Sequence, residues 1–415
     1  KFHLNIRKFK IEKTKMSIDQ ARALSEKISN ITYVLCQFQM MKNGKNADKR
    51  FISITDSCLL IFKTEKNKVD IDYKNFWLDL SSYTQKDGTF EFKFSKTSIK
   101  FKTIQENEGD YPPNKIDEII CTILSSQLTN DEIQKLNIQK IGEITPIGIF
   151  SRYSQQLLKQ KKPIANPQAD EEMNDFLNGN RTIFSTENIT QNLDQVLDPI
   201  LSTLYLSPKL EGLKIETNGK KIDSYSFLLQ YISLYNSSLK YILIDSSSDK
   251  KFKDFFKSAK KSSIKAITLK GTELKKEHFE ELKGISKSNN VNSFSFVSNI
   301  QNEQLIINFL KEAQSEIRIL KFTAINCINN SKIINQILTS KACENVQSLT
   351  LKNLSEKVTI EMILLELSKS KESLPNLRFL DISGNKGKFS EAPEDLPPGI
   401  IRIDVSSIKW SSYDD

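Results

Sequence analysis

Histidine and cysteine are scarce in this chain of 415 residues, which has two histidines and five cysteines. The cysteines stand in apolar segments without the spacing of a disulfide framework or of metal ligands, so we expect buried, reduced thiols and no metal site. His3 lies in a basic terminal segment and His278 in a predicted helix, and both are expected to be solvated. The cysteines are Cys36, Cys58, Cys121, Cys327 and Cys343.

Motifs of catalysis are also missing from the sequence. It contains no glycine-rich phosphate loop, no nucleophile elbow and no cluster of metal-ligating residues. Neighbouring carboxylates such as Glu171 and Glu172, or Glu280 and Glu281, are typical of an ordinary helix surface. We therefore predict a protein that is not an enzyme, with no catalytic residues, no metal and no cofactor.

Long apolar runs are absent as well, and the N-terminus lacks the layout of a signal peptide. The hydrophobic fraction of 38% and the charged fraction of 27% are typical of a globular protein. The net charge is +9, and residues 1 to 130 contain 22 Lys and Arg against 16 Asp and Glu. We expect this basic excess to attract acidic lipid or acidic protein, and not nucleic acid. Together these features predict a cytoplasmic protein.

A repeated apolar pattern fills the second half of the chain. The template apolar-x-x-apolar-x-apolar occurs eight times, and its first positions recur every 23 to 31 residues. This spacing is typical of leucine-rich repeats, or lies just beyond their range. Because the chain starts at a lysine and the last match falls near its end, we expect a part of a longer protein. The matches are Leu210/Leu213/Ile215, Leu239/Ile242/Ile244, Ile264/Ile267/Leu269, Val291/Phe294/Phe296, Ile317/Leu320/Phe322, Val346/Leu349/Leu351, Leu377/Leu380/Ile382 and Ile400/Ile403/Val405.

Eight residues after the first apolar position, a leucine-rich repeat favours asparagine, whose amide satisfies backbone groups at the turn. Asn218, Asn299 and Asn385 occupy that place, and Ser247 and Thr272 are short polar substitutes. In two repeats the residue at this eighth position is apolar, and we predict irregular turns in those repeats. These two residues are Ile325 and Leu354.

Segments with helical spacing separate the strands, so each repeat is predicted to be a strand followed by a helix. Such units stack, with a parallel sheet on the concave side and helices outside. The amphipathic stretch from Leu193 to Leu204 is either a cap over the first repeat or that repeat's own helix. Several predicted concave positions are charged, which is explained by a solvated strand face or by an acidic partner. They are Lys214, Lys270, Lys321, Lys352 and Asp381.

The first third of the chain has a different pattern. Short segments with period-two alternation lie between residues 33 and 103, and Asn43-Gly44 and Asp87-Gly88 are hairpin-turn signals. A helix with an apolar stripe follows and closes this part of the chain. Its stripe consists of Ile116, Ile119, Ile120, Ile123 and Leu124.

The segment from Lys49 to Lys63, within residues 31 to 128, resembles the second and third strands of pleckstrin-homology (PH) domains. The resemblance implies a lipid-binding site at Lys42, Lys45, Lys49 and Arg50, on the first hairpin. Asp48 stands where inositol-specific members of that family prefer a basic residue, so the expected attraction is to anionic lipid in general. A domain used for protein contacts remains the alternative.

The order of these parts resembles the N-terminal half of the CARMIL proteins, which are membrane-associated regulators of actin capping protein. The predicted fold class is a PH-like β-barrel with a C-terminal helix, then an α/β leucine-rich-repeat solenoid (horseshoe). We predict a basic N-terminal segment and short helix at 1–30, the PH-like domain at 31–128, a helical connection at 129–192, and about eight repeats at 193–415.

The resemblance implies a non-enzymatic scaffold at the plasma membrane and cytoskeleton. Its repeats would bind proteins on their concave face, actin-regulatory proteins among them, and its first domain would attach to anionic membrane lipids. The alternative is a cytosolic protein-interaction adaptor, in which the PH-like domain binds protein and not lipid.

Overall fold

The computed structural model describes two compact units, Lys1–Ile164 and Ala165–Asp415. The predicted boundaries at residues 128 and 192 fall inside the first and the second unit. Residues 1–17, with the predicted basic terminus, and the turn residues Asn218, Ser247, Thr272 and Asn299 lie outside the described residues. The described residues are 18–29, 31–65, 68–104, 111–160, 163, 165–217, 226–245, 255–256, 259, 262–271, 276–288, 291–297, 300, 302–313, 317–387 and 395–410.

The first unit contains a seven-stranded antiparallel sheet with the strand order β4-β3-β2-β1-β7-β6-β5. The two predicted hairpin turns are present, and both residues of each take the left-handed conformation that such two-residue turns require, with φ of 53° and 75° at Asn43 and Gly44. The strands are β1 (Thr32–Lys42), β2 (Lys45–Thr55), β3 (Cys58–Glu65), β4 (Lys68–Phe76), β5 (Leu80–Lys86), β6 (Thr89–Phe94) and β7 (Ser98–Thr103).

Helices cover both faces of this sheet. One face packs against α2 (Pro113–Gln127) and α3 (Asn130–Leu136), around Trp77, whose indole Nε1 donates to the carbonyl oxygen of Thr55 at 2.9 Å. The other face packs against α1, described over residues 18–26. Because each face buries alternate residues of the same strands, both sets of apolar positions are needed for the unit to be stable.

The helix α4 (Pro146–Leu158) completes the first unit. Its start is fixed by Thr145, whose hydroxyl accepts a hydrogen bond from the amide of Gly148 at 3.0 Å. Arg152 on this helix is buried, and its two Nη atoms donate to the Glu132 carboxylate at 2.9 and 3.2 Å. The helix is thereby tied to the start of α3.

The second unit is built on a nine-stranded parallel sheet with the order β17-β15-β14-β13-β12-β11-β10-β9-β8. Its core-facing row crosses the sheet from Phe184 to Ile403, one residue per strand in continuous register. The row is buried from Phe184 to Leu380, and Ile403 at its end is half-buried. The strands are β8 (Ile183–Ser185), β9 (Gly212–Ile215), β10 (Tyr241–Asp245), β11 (Ala266–Lys270), β12 (Ser293–Val297), β13 (Ile319–Thr323), β14 (Ser348–Lys352), β15 (Phe379–Asp381) and β17 (Arg402–Asp404). The short strands β16 (Lys386–Gly387) and β18 (Lys409–Trp410) form a separate parallel pair.

Helices precede the sheet or connect its strands, and neighbouring helices pack on each other, as α6 does on α7. The stretch that the sequence singled out as a cap or a first-repeat helix is α6. The helices are α5 (Pro167–Asn178), α6 (Leu193–Leu204), α7 (Ser226–Tyr235), α8 (Lys276–Ser288), α9 (Glu303–Glu312), α10 (Ser331–Leu338) and α11 (Ile360–Lys369).

The predicted fold class, a PH-like β-barrel followed by a leucine-rich-repeat horseshoe, is wrong. The structure has an antiparallel sheet with β4 and β5 as its edges, and then a parallel sheet with a strand, β8, that precedes the eight predicted ones. The connections are also unequal, since the described part of the chain between β15 and β17 contains the short strand β16 and no helix. Apolar spacing identifies strands and their buried faces, but it does not determine whether a sheet closes or how its layers curve.

The predicted irregular turns before Ile325 and Leu354 are also wrong. Ala324 and Asn353, with φ of 58° and 48°, adopt the same left-handed conformation as the residue at the matching place in two other connections. Those residues are Gly271 and Gly384. The backbone amide of each of these four residues donates to a carbonyl oxygen at the end of the next strand or in the turn after that strand. The four turns therefore follow one hydrogen-bonding pattern.

Candidate functional site

The predicted lipid-binding residues lie on the β1–β2 hairpin, which we call the basic hairpin. Lys42 and Lys45 face each other across the Asn43-Gly44 turn, and both are exposed. Lys49 is exposed as well and lies opposite Gln39 on β1. The structure therefore places these three lysines on the hairpin, with two of them at its tip.

Arg50 is placed differently from the three lysines. Its guanidinium is hydrogen-bonded to the Asp72 carboxylate and lies 3.6 Å from that of Asp48, and only 26% of its side chain is exposed. Successive side chains of a strand point to opposite faces, so Arg50 and Lys49 do not share a face. Its two carboxylate partners balance its charge locally.

Lys102 is a cation that sequence reasoning missed. It lies on β7 opposite Gln39, the residue that also faces Lys49, so Lys49 and Lys102 share a face two strands apart. The two residues are far apart in sequence, and only the pairing of β1 with β7 brings them together. Alternation within β7 predicts that Lys102 is exposed, but not which strand it adjoins.

A second candidate site is the face of the parallel sheet that does not enter the core, which we call the strand face. On each strand, alternate side chains point to it, while the positions between them are buried. Three of the charged positions predicted from the sequence lie in one row across this face. The row is Ser185, Lys214, Leu243, Thr268, Ser295, Lys321, Thr350, Asp381 and Asp404.

Lys270, near one side of the strand face, is neutralised by carboxylates. Its ammonium lies 3.5 Å from Glu216 and 4.0 Å from Asp245. Burial raises the pKa of Asp245, Glu216 raises it further, and Lys270 and the amide of Thr217 oppose this rise. This group is therefore internally compensated.

A cavity of about 230 Å³ opens on the other side of the strand face. Asp381 accepts hydrogen bonds from the amide and hydroxyl of Ser383 at 3.0 and 2.6 Å, and Asp404 accepts one from the amide of Ser406 at 2.9 Å. The bonds from Ser406, with smaller effects of Arg402 and Lys352, lower the pKa of Asp404. The cavity is lined by Lys321, Ser348, Thr350, Phe379, Leu380, Asp381, Arg402 and Asp404.

Two predictions about single residues need correction. His278, expected to be solvated, is buried on α8 with 4% of its surface exposed. Glu172, expected on a helix surface, is buried on α5 and accepts hydrogen bonds from Arg181 at 2.9 Å and Asn188 at 3.3 Å. Both lie on amphipathic helices whose buried stripe is wider than the apolar residues alone indicate.

The five cysteines form no disulfide. Cys58, Cys121 and Cys343 are buried as expected, whereas Cys36 and Cys327 are half-buried. Burial raises the pKa of Cys343 to about 11 and is the main reason that the pKa of Cys121 rises to about 12. Among the described residues, no group of three or more His, Cys, Asp and Glu is arranged to hold a metal ion. No helix in the described ranges is both long and apolar enough to cross a bilayer.

Compared with known proteins, the sequence matches no family model and no curated protein.

Proposed function

We propose that this protein is a non-enzymatic scaffold, which holds a protein partner on the strand face and attaches to anionic membrane surfaces through the basic hairpin. The exposed polar side of the parallel sheet carries this proposal. Parallel sheets are as a rule covered on both faces, and their strands are apolar on both. A parallel sheet with a buried apolar side and an accessible polar side supports a role in binding.

The strand β13 illustrates the difference between the two sides. Leu320 and Phe322 are fully buried, whereas Lys321 between them is exposed. Across the sheet, the row contains two lysines, four hydroxyl side chains, two carboxylates and one leucine, a composition suited to hydrogen bonds with a polar partner. Three of its members, Leu243, Ser295 and Thr350, are less than 10% exposed. Actin-regulatory proteins are the first partners to test, because the order of sequence motifs resembles that of the CARMIL proteins.

Membrane attachment is supported by the positions of Lys42, Lys45 and Lys49, with Lys102 beside them. Each basic residue near an anionic surface contributes about 1 kcal/mol, and the contributions add without a shaped headgroup pocket. Arg50 contributes less, since Asp72 and Asp48 already balance its charge. Attraction of this kind depends on lipid charge and weakens with salt.

Sedimentation with liposomes tests the membrane part. The protein should sediment with vesicles of phosphatidylserine and phosphatidylcholine at low salt, but not with phosphatidylcholine alone. The variant Lys42→Glu/Lys45→Glu/Lys49→Glu should lose this binding. The variant Lys96→Glu/Lys135→Glu/Lys140→Glu carries the same charge change at other exposed positions of the first unit and should retain most of it.

If both variants lost vesicle binding equally, the binding would depend on the net charge of the protein and not on the basic hairpin. If the wild-type protein does not sediment with anionic vesicles at low salt, membrane attachment is contradicted. The alternative is then the adaptor, in which the first unit binds protein.

Photo-crosslinking tests the partner part. A benzophenone amino acid at Lys321, on the strand face, should capture a discrete protein that the same group at Lys332, exposed on α10, does not. The captured protein, once purified, should bind the wild-type chain and bind Lys321→Glu more weakly. Identical adducts from both positions, or none from Lys321, would contradict a partner on the strand face.

A further inference from the structure

The cavity on the strand face has an unusual floor. The strand β14 contributes two short hydroxyl side chains, Ser348 and Thr350, between the longer side chains of β13 and β15. Thr350 is 7% exposed, and its hydroxyl has no hydrogen-bond partner among the residues described. Thr350 lines the open cavity and its hydroxyl is not enclosed by protein, so it can donate a hydrogen bond to a group that enters from solution.

The walls of the cavity offer further donors. Lys321 on β13 and Arg402 on β17 are exposed, and neither forms an ion pair with any residue in the described part of the chain. Lys270 on the same sheet differs, because Glu216 and Asp245 flank it. Lys321, Arg402 and the two hydroxyls are therefore the donors around the cavity, and the carboxylates of Asp381 and Asp404 are its acceptors.

From this geometry we infer that the cavity is a carboxylate-binding subsite, which takes an acidic side chain of the protein partner. Lys321 and Arg402 supply the charge, and the hydroxyls of Thr350 and Ser348 donate to the carboxylate from the floor. This inference rests on the proposed function, since it names the chemistry that the partner presents to the strand face.

The carboxylates of the cavity restrict the ligand to a single negative charge. Asp381 and Asp404 lie opposite each other on adjacent strands, and like charges so placed repel. A phosphate dianion would add to that repulsion, whereas the neutral amide N–H groups beside an acidic side chain of a peptide are donors to these carboxylates. Phe379, 49% exposed, offers an apolar surface to the methylene groups of a glutamate.

A minimal probe, N-acetyl-L-glutamic acid α-amide, tests the subsite without knowledge of the partner. In methyl-labelled protein, we expect it to shift the Thr350 methyl resonance and that of Ile319, which is paired with Ser348. The neutral isostere N-acetyl-L-glutamine amide should cause little shift at the same concentration. N-acetyl-O-phosphoserine amide should bind no more tightly than the glutamate probe.

Matched variants locate the binding. Lys321→Gln/Arg402→Gln should weaken the glutamate probe by at least about tenfold, because two charge-assisted contacts are lost. Thr350→Val keeps the volume of the side chain, removes the hydroxyl and should also weaken the probe, with Ile319 as the reporter. Lys214→Gln, in the same row but on β9, should leave the affinity unchanged.

Equal shifts with the glutamate and glutamine probes, or an unchanged affinity in Lys321→Gln/Arg402→Gln, would overturn the subsite. If the glutamate probe does not bind but a partner captured at Lys321 does, the carboxylate subsite is wrong and the proposed scaffold function is retained. If both fail, the strand face itself is not the binding side.

Discussion

The side-chain amide of Asn385 donates to the carbonyl oxygen of Leu351 at 2.6 Å, across 34 residues of chain. The same side chain donates to the carbonyl of Ile382 at 2.8 Å and accepts from the amide of Leu354 at 2.9 Å. One buried asparagine thus satisfies three backbone groups at the ends of two neighbouring strands. This is the role that the sequence assigned to asparagine at this place, and it is confirmed for Asn385.

Replacing this asparagine should therefore be costly. We expect Asn385→Ala to lower the free energy of unfolding of the second unit by about 2–4 kcal/mol, because buried backbone groups lose their partners. Asn376→Ala is the control, since Asn376 also donates to a backbone carbonyl, that of Glu344 at 2.9 Å, but is exposed. Urea denaturation of both variants measures the difference, and equal losses would contradict the role of burial.

Ala324 offers a stabilising substitution. Its φ of 58° costs an L-residue about 1–2 kcal/mol, and glycine avoids this cost. Part of the gain is offset by the greater freedom of glycine in the unfolded chain. Ala324→Gly should thus raise the urea midpoint of the second unit slightly, whereas Ala313→Gly, at a φ of −61°, should lower it. A lower midpoint for Ala324→Gly would mean that the left-handed turn is not strained.

Glu132 should couple the stability of the first unit to pH. Burial acts to raise its pKa, but the hydrogen bonds and charge of Arg152, together with Thr129, outweigh burial and leave the pKa below its usual value. Since the folded pKa is the lower one, the stabilisation is complete above the unfolded value of about 4.3 and is lost as the pH falls through the folded value.

Urea midpoints measured between neutral and acidic pH check this dependence. Glu132→Gln should be less stable than the wild type at neutral pH, and the difference should narrow in acid. Glu118→Gln, at an exposed carboxylate paired with Lys115, is the control and should behave as the wild type. A constant difference between Glu132→Gln and wild type at every pH would rule out a charge effect.

Leu349 marks the centre of the parallel sheet's core. It is fully buried on β14, between Leu320 and Leu380 of the neighbouring strands. Leu349→Asp should destabilise the second unit by more than about 4 kcal/mol, because a buried carboxylate has no partner there. Circular dichroism should show lost structure, whereas Lys352→Asp at the partly exposed end of the same strand should retain it.

The sequence was most informative about local structure. Each of the eight apolar triplets overlaps a strand, which contains at least its second position, since burial of alternate side chains depends only on spacing. Asn43-Gly44 specified its turn because few residues tolerate positive φ. The fold class could not be predicted from such local signals. Whether two edge strands such as β4 and β5 pair with each other and close the sheet is not encoded in the residue pattern of either strand.

The candidate sites were predicted only in part. Lys42, Lys45 and Lys49 were found as exposed cations of one hairpin, but the Arg50–Asp72 pair depends on which strands lie near each other at the edge of the sheet. The cavity was missed because its floor depends on small side chains, Ser348 and Thr350, flanked by larger ones from other strands. A single hydroxyl in a strand gives no signal of this kind.

The buried position of Trp77 makes its fluorescence a reporter of the folding of the first unit. The chain has two tryptophans, and Trp77 is fully buried, with ring centres of Phe92 and Phe94 at 6.2 and 6.4 Å. An indole in such surroundings fluoresces at shorter wavelength than one in water. In a Trp410→Phe variant, the emission colour therefore follows the melting of the antiparallel sheet alone, separately from that of the parallel sheet and without any attached dye.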